Sequence, residues 1–257
     1  MTESTPAKSS AARPVATASA TGTRLTRLLV DLSVGSVELS HRNFVEKLAG
    51  LVDLSEAISL SERLRGLSRQ GVIPQESESS PDLKELFLQR RQERVAFIGR
   101  SFNSQDEDMP FILPTLRQEM LTKPAESFEP FQRFYALHQS EMEFQILKLR
   151  GEVRRQISAH SERLARLAVL DSAIGDTLAE NHRRVFAQIP RLLARRFVRL
   201  AGDYQVKEEN VSDMDSWTAV GGWLDCFYKE MMSLLLAELE VRLLPVLGLV
   251  EAQEIED

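Results

Sequence analysis

A chain of 257 residues with 43% apolar and 27% charged side chains can bury a real core, as one large domain or two small ones, and its composition is that of an ordinary soluble protein. The net charge is −6, which argues against a uniformly basic nucleic-acid binder, and the single cysteine, Cys226, excludes an intrachain disulfide. Only 12 Gly and 7% aromatics, beside abundant Leu, Arg, Glu and Ala, favour helix over sheet.

The charge is uneven. Lys148–Arg199 carries 12 Lys and Arg against 5 Asp and Glu, a surplus of +7, whereas Leu200–Asp257 carries 3 against 13, a surplus of −10. A basic region followed by an acidic one implies mutual pairing or two contact surfaces. The N-terminus lacks a basic stretch leading into an apolar core, and the most apolar window, Met231–Ala237, is far below the roughly 20 residues of a spanning helix. The expectation is a cytoplasmic protein without a transmembrane segment.

Residues 1–22 are Ser, Thr, Ala and Pro with almost no large apolar side chain, which predicts a disordered tail. A small helical unit is expected over 23–70. It holds a short helix with Leu25, Leu28, Leu29 and Leu32, a second capped by Ser40 with Phe44, Val45, Leu48 and Leu51, and a third after Asp53 or Ser55 with Ile58, Leu64 and Leu67. Residues 71–80 read as a linker. Over 81–128 the pattern gives a helix carrying Leu83, Leu86, Phe87 and Phe97, then an acidic loop at Ser101–Met109. Pro110, Pro114, Pro124 and Pro130 leave room for at most one short helix after it.

Residues 129–201 form the dominant feature, a long basic amphipathic helical region. Met142, Ile146, Leu149, Val153, Ile157, Leu164, Leu167, Ile174 and Leu178 recur at steps that keep one face in line over many turns. Unbroken to Ile189, the helix would span about 90 Å. Asp171-Ser172 with Gly175 is the best place for a turn, but the stripe runs through it and continuity there is favoured; Pro190 should kink or restart the helix. Residues 202–216 read as a connector and 217–250 as an acidic C-terminal helical segment with Leu224, Phe227, Met231, Leu234, Leu235 and Leu239 at helical spacing. Its end is disturbed by Pro245 and Gly248, and 251–257 forms an acidic tail. The fold class predicted is all-α and elongated: one very long amphipathic helix, kinked or straight, with shorter helices packed at its ends.

No catalytic constellation emerges. Gly221-Gly222 is the only adjacent glycine pair and lacks a following Lys-Ser/Thr, so it reads as a loosened start to the last helix and not a phosphate loop. His138, His160 and His182 are spaced by 22 residues, which on one helix separates neighbours by about 33 Å, too far for shared metal ligation. They read as partly buried helical histidines or polar breaks in the apolar seam, and a seam histidine could also set register, as polar residues do in coiled coils. Glu38-Leu39-Ser40-His41 is the only Glu-x-x-His step, where a di-metal bundle uses two. No elbow presents Ser or Cys as a nucleophile. No cofactor is therefore expected. Arg191, Arg195, Arg196 and Arg199 form a basic face beside Leu192, Leu193, Phe197 and Leu200. Such a face can neutralise phosphates, and the acidic C-terminal third is its obvious internal partner.

Two segments, RNFVEKLAGLVDLSEAISL at Arg42–Leu60 and LDCFYKEMMSLLLAELEVRLLPVLGLVEA at Leu224–Ala252, flank the Arg-rich helix. With that helix they resemble an uncharacterised proteobacterial family known only as a domain of unknown function. The resemblance covers roughly Thr23–Ala252. It implies a bacterial cytoplasmic protein of unknown activity, with genes beside those for OmpA-like and MotA/MotB-like envelope proteins, and it supplies no functional residue. The leading expectation is a non-enzymatic helical interaction or assembly component that binds a protein partner or itself through the long stripe. The alternative is a nucleic-acid-associated protein using the arginine face, and an enzyme ranks third.

Overall fold

The computed structural model describes residues 24, 25, 27–29, 82–103, 106, 108–116, 124–207 and 214–256. The expected tail at 1–22, the two helices drawn across 40–67 and the linker at 71–80 lie outside the described residues. Among those described, all regular structure is helical, with long helices and shorter ones packed against them.

Helix α1 (Leu83–Ser101) starts at Asp82, whose carboxylate accepts from the backbone N–H groups of Lys84 at 2.8 Å and Glu85 at 3.4 Å. After it, Arg100 clamps Asp106 through two hydrogen bonds of 2.7 and 3.0 Å, and the Leu113 N–H returns to the Ser101 carbonyl. The proline-punctuated stretch holds one four-residue helix, α2 (Pro124–Ser127). The long region then divides into α3 (Glu129–His160), α4 (Glu162–Phe186) and α5 (Ile189–Lys207). A short α6 (Met214–Thr218) precedes α7 (Trp223–Glu256).

The break between α3 and α4 is a single residue. Ser161 is extended, with φ −153° and ψ 159°, and its hydroxyl caps α4 by accepting from the Leu164 N–H while donating to Glu256 at 2.6 Å. The chain reverses there. Glu143 pairs with Arg183, the side chain of Gln139 donates to the Phe186 carbonyl, and Arg150 and Arg154 both grip Asp171, so partners fall in number on α4 as they rise on α3. The helix is continuous through Asp171–Gly175. A side chain at Gly175 would put its Cβ 3.0 Å from the Arg150 guanidinium and 3.2 Å from that of Arg154, so the glycine makes room for the clasp. A second bend at Ala187–Gln188 precedes α5, where Pro190 occupies the first turn, which tolerates its missing N–H.

Helix α7 is apolar on nearly every side and is accordingly the central element, with Phe227, Met231, Leu234, Leu235, Leu239 and Val246 fully buried. It packs most extensively on α3, to which it runs parallel, with Tyr135 against Glu238 near one end and Ser161 against Glu256 at the other. Helix α1 runs antiparallel to both, tied by Arg94–Glu141 and Lys84–Glu254. The α4–α5 arm also runs antiparallel to both, with Arg196 on Glu230 at 2.8 Å. Leu25, in the helical residues near the N-terminus, joins the same core, and Arg24 meets Glu240.

Two boundaries differ from the sequence reading. The last helix does not end near Leu244 or Val250, because it runs through Pro245 to Glu256. Proline removes one backbone hydrogen bond there, but Leu243, Val246, Leu249 and Val250 are all buried, and that packing outweighs the loss. The Gly221-Gly222 pair is a tight turn, not a loose one. Gly221 sits at φ +85°, a conformation that favours glycine, and a Cβ on Gly222 would lie 2.3 Å from the Trp217 carbonyl oxygen. The turn brings Trp217 against Trp223, with centroids 6.1 Å apart and the rings tilted by 51°.

Candidate interaction surface

The stripe proposed as an interaction seam is filled from within. Met142, Ile146, Leu149, Val153, Ile157 and Leu164 are buried, Leu167 packs on the core's edge, and Ile174 and Leu178 are half-buried. The reversal at Ser161 turns α4 back along α3, and α7 covers what remains. Six of the nine seam residues are thus consumed by the fold and are not open to a partner.

The basic face divides in the same way. Arg196 is closed by its two-pronged pair with Glu230, and Arg199 is half-buried and engaged, whereas Arg191 and Arg195 stay exposed. Part of the +7 surplus is thus neutralised by the acidic C-terminal segment.

Two buried polar centres escaped the sequence reading. Glu238 is fully buried on α7. Its carboxylate accepts from the Tyr135 hydroxyl at 3.0 Å, from the Gln139 amide at 3.0 and 3.1 Å, and from Arg242 at 2.7 and 2.8 Å. Arg242 in turn lies over the Phe186 ring, 4.1 Å from its centroid. Burial pushes the Glu238 carboxyl above its ordinary range against the opposing pull of Arg242, and burial also drives the Tyr135 phenol well upward. In sequence, Glu238 and Arg242 look like a surface i,i+4 pair, so spacing alone does not betray the centre.

The second centre joins α1 to α3. Ser101 Oγ lies 2.8 Å from His138 Nε2 and donates to the Ile98 carbonyl at 2.8 Å, so the ring N–H donates to the serine. Among the described residues Nδ1 has no hydrogen-bond partner. Phe97, Phe102, Phe111 and Phe134 surround the imidazole, with centroids 4.7 to 6.5 Å away. A nucleophilic serine needs its proton aimed at the ring and a carboxylate on the far nitrogen. Among the described residues this pair has neither, and it works as a polar pin in an apolar box.

Burial lowers the His138 pKa from 6.5 to about 4. The folded state therefore binds the proton more weakly than the unfolded one. Its contribution is fully present above pH 6.5 and is lost as pH falls toward 4, by on the order of 3 kcal/mol. Urea titrations between pH 7 and pH 4 are expected to show this loss as the difference between wild type and His138→Gln. The raised Glu238 carboxyl acts with the opposite sign and is common to both proteins. Equal slopes would refute the assignment.

What remains open is the outward side of α3, opposite α7. Leu137, Phe144 and Leu147 lie there with exposures of 43%, 62% and 57%. An open groove of about 430 Å³ extends this side past Leu137, walled by Phe111, Ile112, Pro114, Pro130 and Phe134, with Glu129 and Arg133 at its rim. Periodicity sets these residues off the seam, but three apolar side chains among Arg133, Ser140, Lys148 and Arg155 do not form a second stripe in the sequence. Cys226 is half-buried at the start of α7. Among the described residues no three His, Cys, Asp or Glu side chains converge as metal ligands would, and no helix is long and apolar enough to cross a membrane.

No curated protein and no solved structure matches this chain. A family model described as "Protein of unknown function (DUF3348)" matches residues 12–255. That span takes in both segments that carried the sequence resemblance and all but the last residue of the described helices, and the chain is accordingly a member of the DUF3348 family of proteins of unknown function.

Proposed function

We propose that this chain is a non-enzymatic helical interaction or assembly component that presents the outward side of α3 to a protein partner. The observation that supports the reading is the set of three large apolar side chains, Leu137, Phe144 and Leu147, left in solvent on a helix whose other sides are packed. Contiguous exposed apolar surface beside a shallow groove is characteristic of protein contact sites. The reading moves the contact from the seam, which the core consumes, to the opposite face. The arginine face supports nucleic-acid binding less than its sequence suggests, since Arg196 is closed by Glu230.

Phe144→Asp is expected to leave stability within about 0.5 kcal/mol of wild type, because the side chain is exposed. In affinity capture from the native cell followed by mass spectrometry, the same substitution should remove at least one species that wild type retains. An identical retained set for both proteins would defeat the reading. A salt-dependent gel shift that vanishes in an Arg191→Glu, Arg195→Glu variant would favour the nucleic-acid alternative instead.

A further inference from the structure

Resting on that reading, we infer that the outward face of α3 takes an acidic amphipathic helix of a partner protein. At 100° per residue, Leu137, Phe144, Leu147, Lys148, Gly151 and Arg155 fall within an arc of about 100°, and the 18 steps from Leu137 to Arg155 cover about 27 Å. That is the footprint of one helix laid along another. The N-terminal part of the strip is apolar and its C-terminal part is cationic.

The charges decide the occupant. Glu141 and Glu143 border the strip, but Arg94 holds the first at 3.1 Å and Arg183 holds the second at 3.1 Å. Lys148 and Arg155 stand exposed on the strip itself with no acidic partner among the described residues. Those two acids are thus spent on neighbouring helices; Glu152 is a third acid at the edge, one turn from both cations, and the two exposed cations outnumber it and are left for an incoming carboxylate. A second copy of the same face brings two further cations against one edge acid, Glu152. At Gly151 an added Cβ would meet nothing within 4 Å, so a partner backbone can approach closely there. The complement is a helix with apolar side chains at i, i+3 or i+4 and i+7, and Asp or Glu alongside them toward one end.

The test uses the full chain and two labelled synthetic 18-residue amphipathic helices with the same Leu positions, one with Glu and one with Lys on the flanks. Fluorescence anisotropy is expected to show the Glu peptide binding at least about tenfold tighter than the Lys peptide, and weakening as salt rises. Phe144→Ser and Leu147→Ser, each checked for an unchanged melting temperature, should weaken the Glu peptide about tenfold, and Lys148→Glu with Arg155→Glu should abolish or reverse the preference. If both peptides bind equally and both weaken in Phe144→Ser, the docking face stands and the acidic occupant is wrong. If neither binds, or binding ignores Phe144→Ser and Leu147→Ser, the occupant and the docking face both fall. A wild-type dimer by light scattering that Phe144→Ser splits would assign the face to a second copy and overturn the inference.

Discussion

Arg242→Leu is expected to destabilise the protein by about 3–5 kcal/mol, because it strands the Glu238 carboxylate in the core without its countercharge. For a chain of this length that is a fall in melting temperature of roughly 6–20 °C. The carboxylate is completely buried, and Tyr135 and Gln139 supply only neutral hydrogen bonds. Arg242 also loses its seat over Phe186, which tethers the end of α4 to α7. The double variant Glu238→Gln, Arg242→Leu removes both charges and is expected to recover part of the loss. Urea denaturation of the two single variants and the double completes the cycle. An Arg242→Leu variant within about 1 kcal/mol of wild type would mean that Glu238 is neutral or hydrated in the folded protein and not a buried carboxylate held by Arg242.

Phe197→Ala should cost about 3–5 kcal/mol, the range for removing a buried aromatic ring from a site that cannot collapse. Its ring is fully buried, with Phe128, Phe131, Trp223 and Phe227 at centroid distances of 5.2 to 5.8 Å. Those partners come from the start of α3, the start of α7 and the residue before α3, so one deletion loosens three elements where they meet. The neighbouring Val198 is exposed, and Val198→Ala is expected to change stability by no more than about 0.5 kcal/mol. Comparable midpoints for the two variants in urea would show that the aromatic cluster does not hold α5 in place.

The helical class and the length of the amphipathic region were legible because 3.6-residue periodicity survives in composition and spacing. The reversal at Ser161 was not. Ile157 and Leu164 are seven residues apart, two turns, so the stripe keeps its phase across the break and periodicity is blind to the fold-back. A local signal was present in Ser161-Glu162, an N-cap residue followed by an acid in the first turn, directly after His160. The last helix was drawn too short because Pro245 carries a strong local penalty, whereas the burial of Val246, Leu249 and Val250 that overrides it is a tertiary fact. The open face was hidden for a related reason. Periodicity sets Leu137 and Phe144 opposite Met142 and Ile146, but only the placement of α1, α4 and α7 shows which side remains in water. The Ser101–His138 pin joins residues 37 apart through two helices whose pairing no local pattern specifies.

A hairpin hinged on one residue has no slack in its length. Adding a residue beside Ser161 advances α4 by about 100° and 1.5 Å along its screw. That single step swings Leu164 off the core, points Asp171 away from Arg150 and Arg154, and carries the error along the whole of α4 to Phe186. Between residues 150 and 171 the chain can therefore vary in kind but not in number. Length changes in homologous chains are expected to concentrate instead in non-helical stretches such as 108–116, where extra residues leave the phase of the long helices untouched.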